Sequence, residues 1–180
     1  GVLSTAIKQG AAAAAEVAAA VASMTTLNAE ALAVAREFGV TACTDVTGFG
    51  LLGHLRNILR GSRLAATIQL AALPLLPGAF AHAVAGRLPG GSKCSLEFLA
   101  PQVRWRDGTP LAHQPGSGER ELLAALACDA QTSGGLLLAL PAAHSSAAVA
   151  ALRERGLPAA QIGELRAPAR DEAVGSIVLD

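Results

Sequence analysis

The stretch Thr44-Asp45-Val46-Thr47-Gly48-Phe49-Gly50-Leu51-Leu52-Gly53-His54-Leu55 most constrains what this chain can fold into. A short apolar run, Val40 to Cys43, precedes it and is bounded as a strand is. After Gly50, apolar residues fall at 51, 52, 55, 58 and 59, the spacing of one helix face. An Asp-x-Thr-Gly-x-Gly turn joins the two. Strand, glycine turn and helix start together place free backbone N–H groups and a carboxylate at one point. Free amides at a helix N-terminus attract anions such as phosphate. A carboxylate beside them repels phosphate unless a hard cation lies between, and Mg²⁺ bridges carboxylates to phosphates. The stretch reads as half of a metal–phosphate site, with Asp45 toward the metal and Thr47, Gly48 and Gly50 toward the phosphates. The competing reading makes Asp45 a helix cap and the glycines turn formers only.

The rest of the chain alternates helices and strands. Helical spacing predicts helices over Gly10 to Met24, where Val17 and Val21 share a face, and over Asn28 to Phe38, with Gly39 after it. Further helices are expected from Gly50 to Leu59, Ala79 to Ala85, Glu119 to Ala127 and Ala142 to Arg155. Strands are expected at Val40 to Cys43, Leu64 to Leu70, Leu136 to Leu140 as a buried run, Ala160 to Leu165 and Ser176 to Leu179. Leu88 to Ser92 and Pro115 to Gly118 read as loops. Ser92 to His113 reads as irregular apart from a short helix near Leu96 to Ala100. This order argues for an α/β or α+β layered domain, with no internal repeat and no interdomain linker.

Composition narrows the partners. Fourteen basic and fourteen acidic residues cancel, so neither nucleic acid nor an anionic membrane is expected. Apolar residues make up 52% and aromatics 3%, a core of Leu, Val and Ala on closely approached elements. Ala11 to Val21 is apolar but interrupted by Glu16, and far short of the roughly 20 residues of a membrane span. Cys43, Cys94 and Cys128 form no CxxC pair, which points to neither zinc nor a disulfide framework and fits a reducing cytoplasm. Cys43 is expected as a buried strand residue. His54, His82, His113 and His144 form no cluster, although His54 stands close enough to the turn to meet its polar groups. Ser133 lacks a Gly-x-Ser-x-Gly frame, and no Walker A loop or dinucleotide fingerprint occurs. A second glycine turn, Asp129-Ala130-Gln131-Thr132-Ser133-Gly134-Gly135, precedes a strand. It is open to two readings, cleft lining or ordinary turn.

Two segments carry a family likeness. Ala42 to Leu55 resembles a signature of the selenophosphate synthetase (selenide, water dikinase) family, and Gln131 to Leu137 resembles a later one. Gly1 to Lys8 is similar to the family's entry into its C-terminal domain, and Ile162-Gly163-Glu164 to a strand near its end. The resemblance covers the whole chain in order and separation. It implies an α+β fold, a mixed β-sheet covered by helices, like the C-terminal domain of the aminoimidazole ribonucleotide synthetase superfamily. Residues 1–180 would be that one domain, with an N-terminal ATP-binding domain outside the chain. The implied reaction turns ATP, selenide and water into selenophosphate, AMP and phosphate, with Mg²⁺ and ATP as cofactors and a homodimer as the assembly. Asp45 matches the family's Mg²⁺-binding aspartate of this domain; the reactive Cys or selenocysteine and the catalytic lysine would lie in the missing half. Two positions depart from the family: Ala130 stands where proline is usual, and Ser95 where asparagine is common. Two other readings remain: another ATP-using member of the superfamily, or a non-catalytic dimerisation module.

Overall fold

A computed structural model describes residues 1–180. Eight helices, α1 Val2–Lys8, α2 Ala14–Thr25, α3 Ala29–Glu37, α4 Gly50–Ser62, α5 Ala79–Val84, α6 Gly90–Leu99, α7 Glu119–Ala127 and α8 Ala142–Glu154, accompany six strands. The strands are β1 Ala42–Asp45, β2 Ala65–Ile68, β3 Val103–Trp105, β4 Leu136–Ala139, β5 Gly163–Arg166 and β6 Ile177–Leu179. The α+β class holds, and the strands divide between two sheets. A four-stranded sheet runs β3-β6-β2-β5. In it β2 pairs antiparallel with β5 and parallel with β6, which pairs parallel with β3. The other two strands, β1 and β4, form an antiparallel ribbon, with Ala42 opposite Ala139 and Asp45 opposite Leu136.

The main core lies between the four-stranded sheet and helices α4, α6 and α7. Leu52, Leu59, Leu96, Leu99, Ile177 and Leu179 are at most 1% exposed, and each such burial contributes about 2 kcal/mol. Leu52, Leu55 and Leu59 come from one face of α4, as the spacing predicts. Trp105 closes the same core. A second cluster joins Val2 of α1 to Ala83 and Leu126, and a third joins Leu3 to Ala20 and Ala79.

Several elements differ from the sequence reading. Helix α1 has no counterpart in it; the buried Val2, Leu3 and Ala6 are helically spaced, but the helix has only seven residues. Helix α6 begins inside the expected Leu88–Ser92 loop. Its two leading glycines are poor helix formers, yet Leu96 and Leu99 anchor it in the core and override propensity. Strand β3 lies in the stretch read as irregular, being only three residues long. Of the helix α2 residues only Ala20 is buried, and Val21 is 48% exposed. In β4 only Leu137 is buried, and Leu136, Leu138 and Ala139 are partly buried. No single helix is long and apolar enough to cross a membrane.

Candidate functional site

The Asp-x-Thr-Gly-x-Gly turn is built as a corner between β1 and α4. Burial alternates along β1: Cys43 and Asp45 are exposed, Ala42 and Thr44 partly buried. Thr44 faces inward with its partner Leu137, toward α4, and Asp45 stands on the opposite, open face. Cys43 shares that open face. It is exposed, contrary to expectation, because strand pairing turns it to the face opposite Thr44 and Leu137. Partial burial of its sulfur and then the Asp45 charge raise the Cys43 thiol above its ordinary pKa.

Asp45 does not cap α4. The cap position is Phe49, no side chain bonds to the helix start, and the Asp45 carboxylate accepts no hydrogen bond within the protein. The backbone amides of Gly48, Phe49, Leu51 and Leu52 also donate to no other backbone group. A free carboxylate and free amides thus share one short turn. The two predicted phosphate-side glycines differ. Gly50 is buried with φ of +68°, and a Cβ there would come within 2.6 Å of the Cys128 carbonyl carbon, so only glycine fits. Gly48 is exposed, and a Cβ there would meet nothing. Thr47 is held by His54: its N–H donates to His54 Nε2 at 3.0 Å, and its hydroxyl lies 3.0 Å from the same nitrogen. The Phe49 ring lies tilted against that imidazole, 5.9 Å between centroids.

The second glycine turn stands directly beside the first. The ribbon ladder continues past both strand ends, Val46 N–H donating to the Gly135 carbonyl at 3.0 Å and Gly134 N–H to the Val46 carbonyl at 3.1 Å. Gln131 N–H donates to the Thr47 carbonyl at 3.1 Å, and Asn28 Nδ2 to the Gly134 carbonyl at 3.2 Å. A Cβ on Gly134 would lie 2.3 Å from the Val46 oxygen, so this contact requires glycine. The sequence presented the turns 84 residues apart (129 minus 45) without any sign that they pair.

Asp129, the acid of the second turn, is used up internally. It is 5% exposed. Its Oδ2 accepts from Val2 N–H and from Gln131 Nε2, each at 3.0 Å, with the Gly1 nitrogen also 3.0 Å away. Its Oδ1 accepts from the Ser92 hydroxyl at 2.6 Å, and that hydroxyl accepts from Ala130 N–H. Sequence reasoning did not single out this hub. The Asp–Ser pair is long-range and leaves no local pattern.

Elsewhere the chemistry is structural. His82 is buried and its Nε2 lies 3.0 Å from Glu16 Oε2, which also accepts from Ala13 N–H. Cys128 is buried, which pushes its thiol up to about 12. Glu172 is clamped by Arg166 and Arg104, with Ala169 N–H donating to it; Arg166 first among these holds its carboxyl at about 2. No three His, Cys, Asp or Glu side chains gather as a metal cage. An open cleft of about 790 Å³ beside Trp105, Arg106 and Arg120 includes none of the turn residues. The corner at Asp45 is an open surface.

Comparison with known proteins places the chain as a whole. The family model described as AIR synthase related protein, C-terminal domain, matches residues 1–176. A selenide, water dikinase of Myxococcus xanthus is 40% identical over 169 residues, covering 93% of this chain and 45% of the relative. The selenide, water dikinase of Carboxydothermus hydrogenoformans is 40% identical over 140 residues, covering 78% of this chain and 38% of its own length. That of Pseudomonas aeruginosa is 39% identical over 165 residues, 92% of this chain and 44% of the relative. The chain therefore spans less than half the length of these relatives.

Proposed function

The chain belongs to the family of the AIR synthase related protein, C-terminal domain, and from that premise we propose that it is the C-terminal domain of a selenophosphate synthetase. The whole protein would convert ATP, selenide and water into selenophosphate, AMP and phosphate. The names of its relatives and their coverage of this chain support the substrate class. The observation that carries the local role is the Asp45 carboxylate, exposed and free of internal donors beside unpaired amides.

In this reading Asp45 provides one ligand to Mg²⁺ at the ATP phosphates, and Thr47, Gly48 and Gly50 form the turn that faces them. A single carboxylate suits Mg²⁺, which keeps several waters and takes few protein oxygens. The remaining ligands come from an N-terminal ATP-binding domain outside residues 1–180, and the whole chain works as a homodimer. An Mg²⁺ held by Asp45 would supply positive charge to offset the negative charge that grows on phosphate oxygens when a polyphosphate is cleaved. The residues of this chain hold and orient. Gly50 lets the turn backbone press against Cys128, Gly134 lets the second turn close on Val46, and the paired turns fix where Asp45 leaves the ribbon. Neither Cys43 nor Cys128 serves as nucleophile, since burial raises both thiols and a neighbouring aspartate adds to it. The cytoplasm is the setting we assign, where three free cysteines stay reduced.

The full-length protein, given ATP, Mg²⁺ and selenide, is expected to form selenophosphate, read by phosphorus NMR. The 180-residue chain alone is expected to form none. Turnover by the chain alone would overturn the division of labour. A full-length protein that consumes ATP without using selenide would overturn the substrate.

A further inference from the structure

The geometry points to His54 as the positioning residue for Asp45, a brace that fixes the backbone on both sides of that carboxylate from the face opposite to it. The order of the hydrogen bonds follows from one donor whose identity is certain. Thr47 N–H can only donate, and it meets His54 Nε2 at 3.0 Å. Nε2 must then carry a lone pair, so the neutral ring bears its proton on Nδ1. That nitrogen faces the Thr44 hydroxyl oxygen at 3.5 Å, the longest link of the set. With its oxygen accepting there, the Thr44 hydroxyl donates to the Asp45 carbonyl at 3.1 Å. The hydrogen bonds run from Thr47 N–H to the imidazole, from the imidazole to the Thr44 hydroxyl and from that hydroxyl to the Asp45 carbonyl, each pointing the same way. They connect the residue before Asp45 to the turn after it. The free ring tautomer that usually prevails carries its proton on Nε2, so the protein selects the other one.

The placement explains why the brace leaves the acid unobstructed. Thr44 lies on the inner face of the ribbon, against α4, whereas Asp45 lies on the outer face. His54 is half-buried, one turn into α4 beyond the forced glycine at 50, and the Phe49 ring covers one side of it. Gly53 beside it lies under Phe49 Cβ, which a side chain there would strike at 2.7 Å. The hydrogen bonds of His54 go to Thr44 and Thr47, not to the Asp45 carboxylate or to the Gly48 and Phe49 amides. His54 acts through Thr44 and Thr47.

Two substitutions separate this role from plain packing. In His54→Gln the longer side chain brings an acceptor to the place of Nε2, and in His54→Asn the shorter one stops at the place of Nδ1. Long-range proton–nitrogen NMR of the 180-residue chain is expected to show the Nδ1–H tautomer at His54. The Thr47 amide is expected to exchange about tenfold faster in His54→Asn than in the parent, and to regain protection in His54→Gln. An Nε2–H tautomer, or equal Thr47 exchange in both variants, would overturn the brace. The link to Asp45 rests on the proposed metal role and has its own readout. In the full-length protein, His54→Asn is expected to raise the Mg²⁺ concentration for half-maximal activity about tenfold, with His54→Gln recovering most of it. An unmoved Mg²⁺ requirement in His54→Asn, where Asp45→Asn does move it, would overturn positioning. Indifference of Asp45→Asn itself would instead sink the metal reading and leave the NMR result for the brace standing.

Discussion

Two aspartate-bearing glycine turns lie side by side in this molecule, and their acids have opposite fates. Asp129 is 5% exposed and both its oxygens accept hydrogen bonds, from the start of α1, from Ser92 of α6 and from Gln131. It joins three elements and has nothing left to offer a ligand. Asp45 is exposed, and no donor in the protein reaches its carboxylate. The residue types are the same, and in the sequence both acids precede a glycine turn. What distinguishes them is the count of donors each meets once the chain is folded. A buried carboxylate must be satisfied internally, because an unpaired charge there is costly. An exposed one can stay open at little cost. The acid available for chemistry is the one the fold leaves unused.

Removing each acid in turn is the most direct way to break that contrast. Asp129→Ala should have the largest effect on stability. It leaves Val2 N–H and the Ser92 hydroxyl buried without an acceptor, a loss of about 3 kcal/mol, to be read from urea unfolding of the 180-residue chain. A loss no larger than that of a surface substitution would mean that Asp129 is not the hub described.

Glu172 sharpens the comparison as a third carboxylate, paired with Arg104 and Arg166 outside both turns. Its side chain is 2% exposed and Arg166 leads the contacts that hold its carboxyl at about 2, below its ordinary 4.5. A carboxyl whose pKa is lower in the folded than in the unfolded chain stabilises above the unfolded value, and that stability is lost as pH falls through the folded one. The parent should therefore exceed Glu172→Gln by roughly 2 kcal/mol at neutral pH, the gap closing as pH falls from about 4.5 toward 2. A gap independent of pH would show that packing, not charge, is what Glu172 supplies.

Much of the fold was legible because helix periodicity is local. Glu119–Ala127 is observed as read, and α4 and α8 lie within a few residues of their expected ends. Tertiary contacts decided the rest. The glycines of α6 read as loop until Leu96 and Leu99 are seen in the core, and Val103-Arg104-Trp105 is too short for alternation to stand out. That β1 and β4 leave the main sheet follows from pairing, which no local pattern carries; the same pairing turned Cys43 outward. At the site, the turn residues from Asp45 to Gly50 were visible as a motif. The closure of Gly134 on Val46 and the use of Asp129 were not, since both depend on residues brought together across the ribbon.

Asp45→Asn makes the smallest change to the fold and the most informative one. The substitution keeps shape and removes charge from a side chain with no internal partner, so unfolding of the chain should shift by less than about 0.5 kcal/mol. In the full-length protein the same substitution should lower selenophosphate formation by about a hundredfold or more at limiting Mg²⁺, with partial recovery when Mg²⁺ is raised. Unchanged stability with lost activity is the expected result. Undiminished turnover at limiting Mg²⁺ would contradict the metal role and leave Asp45 an exposed residue of a structural turn.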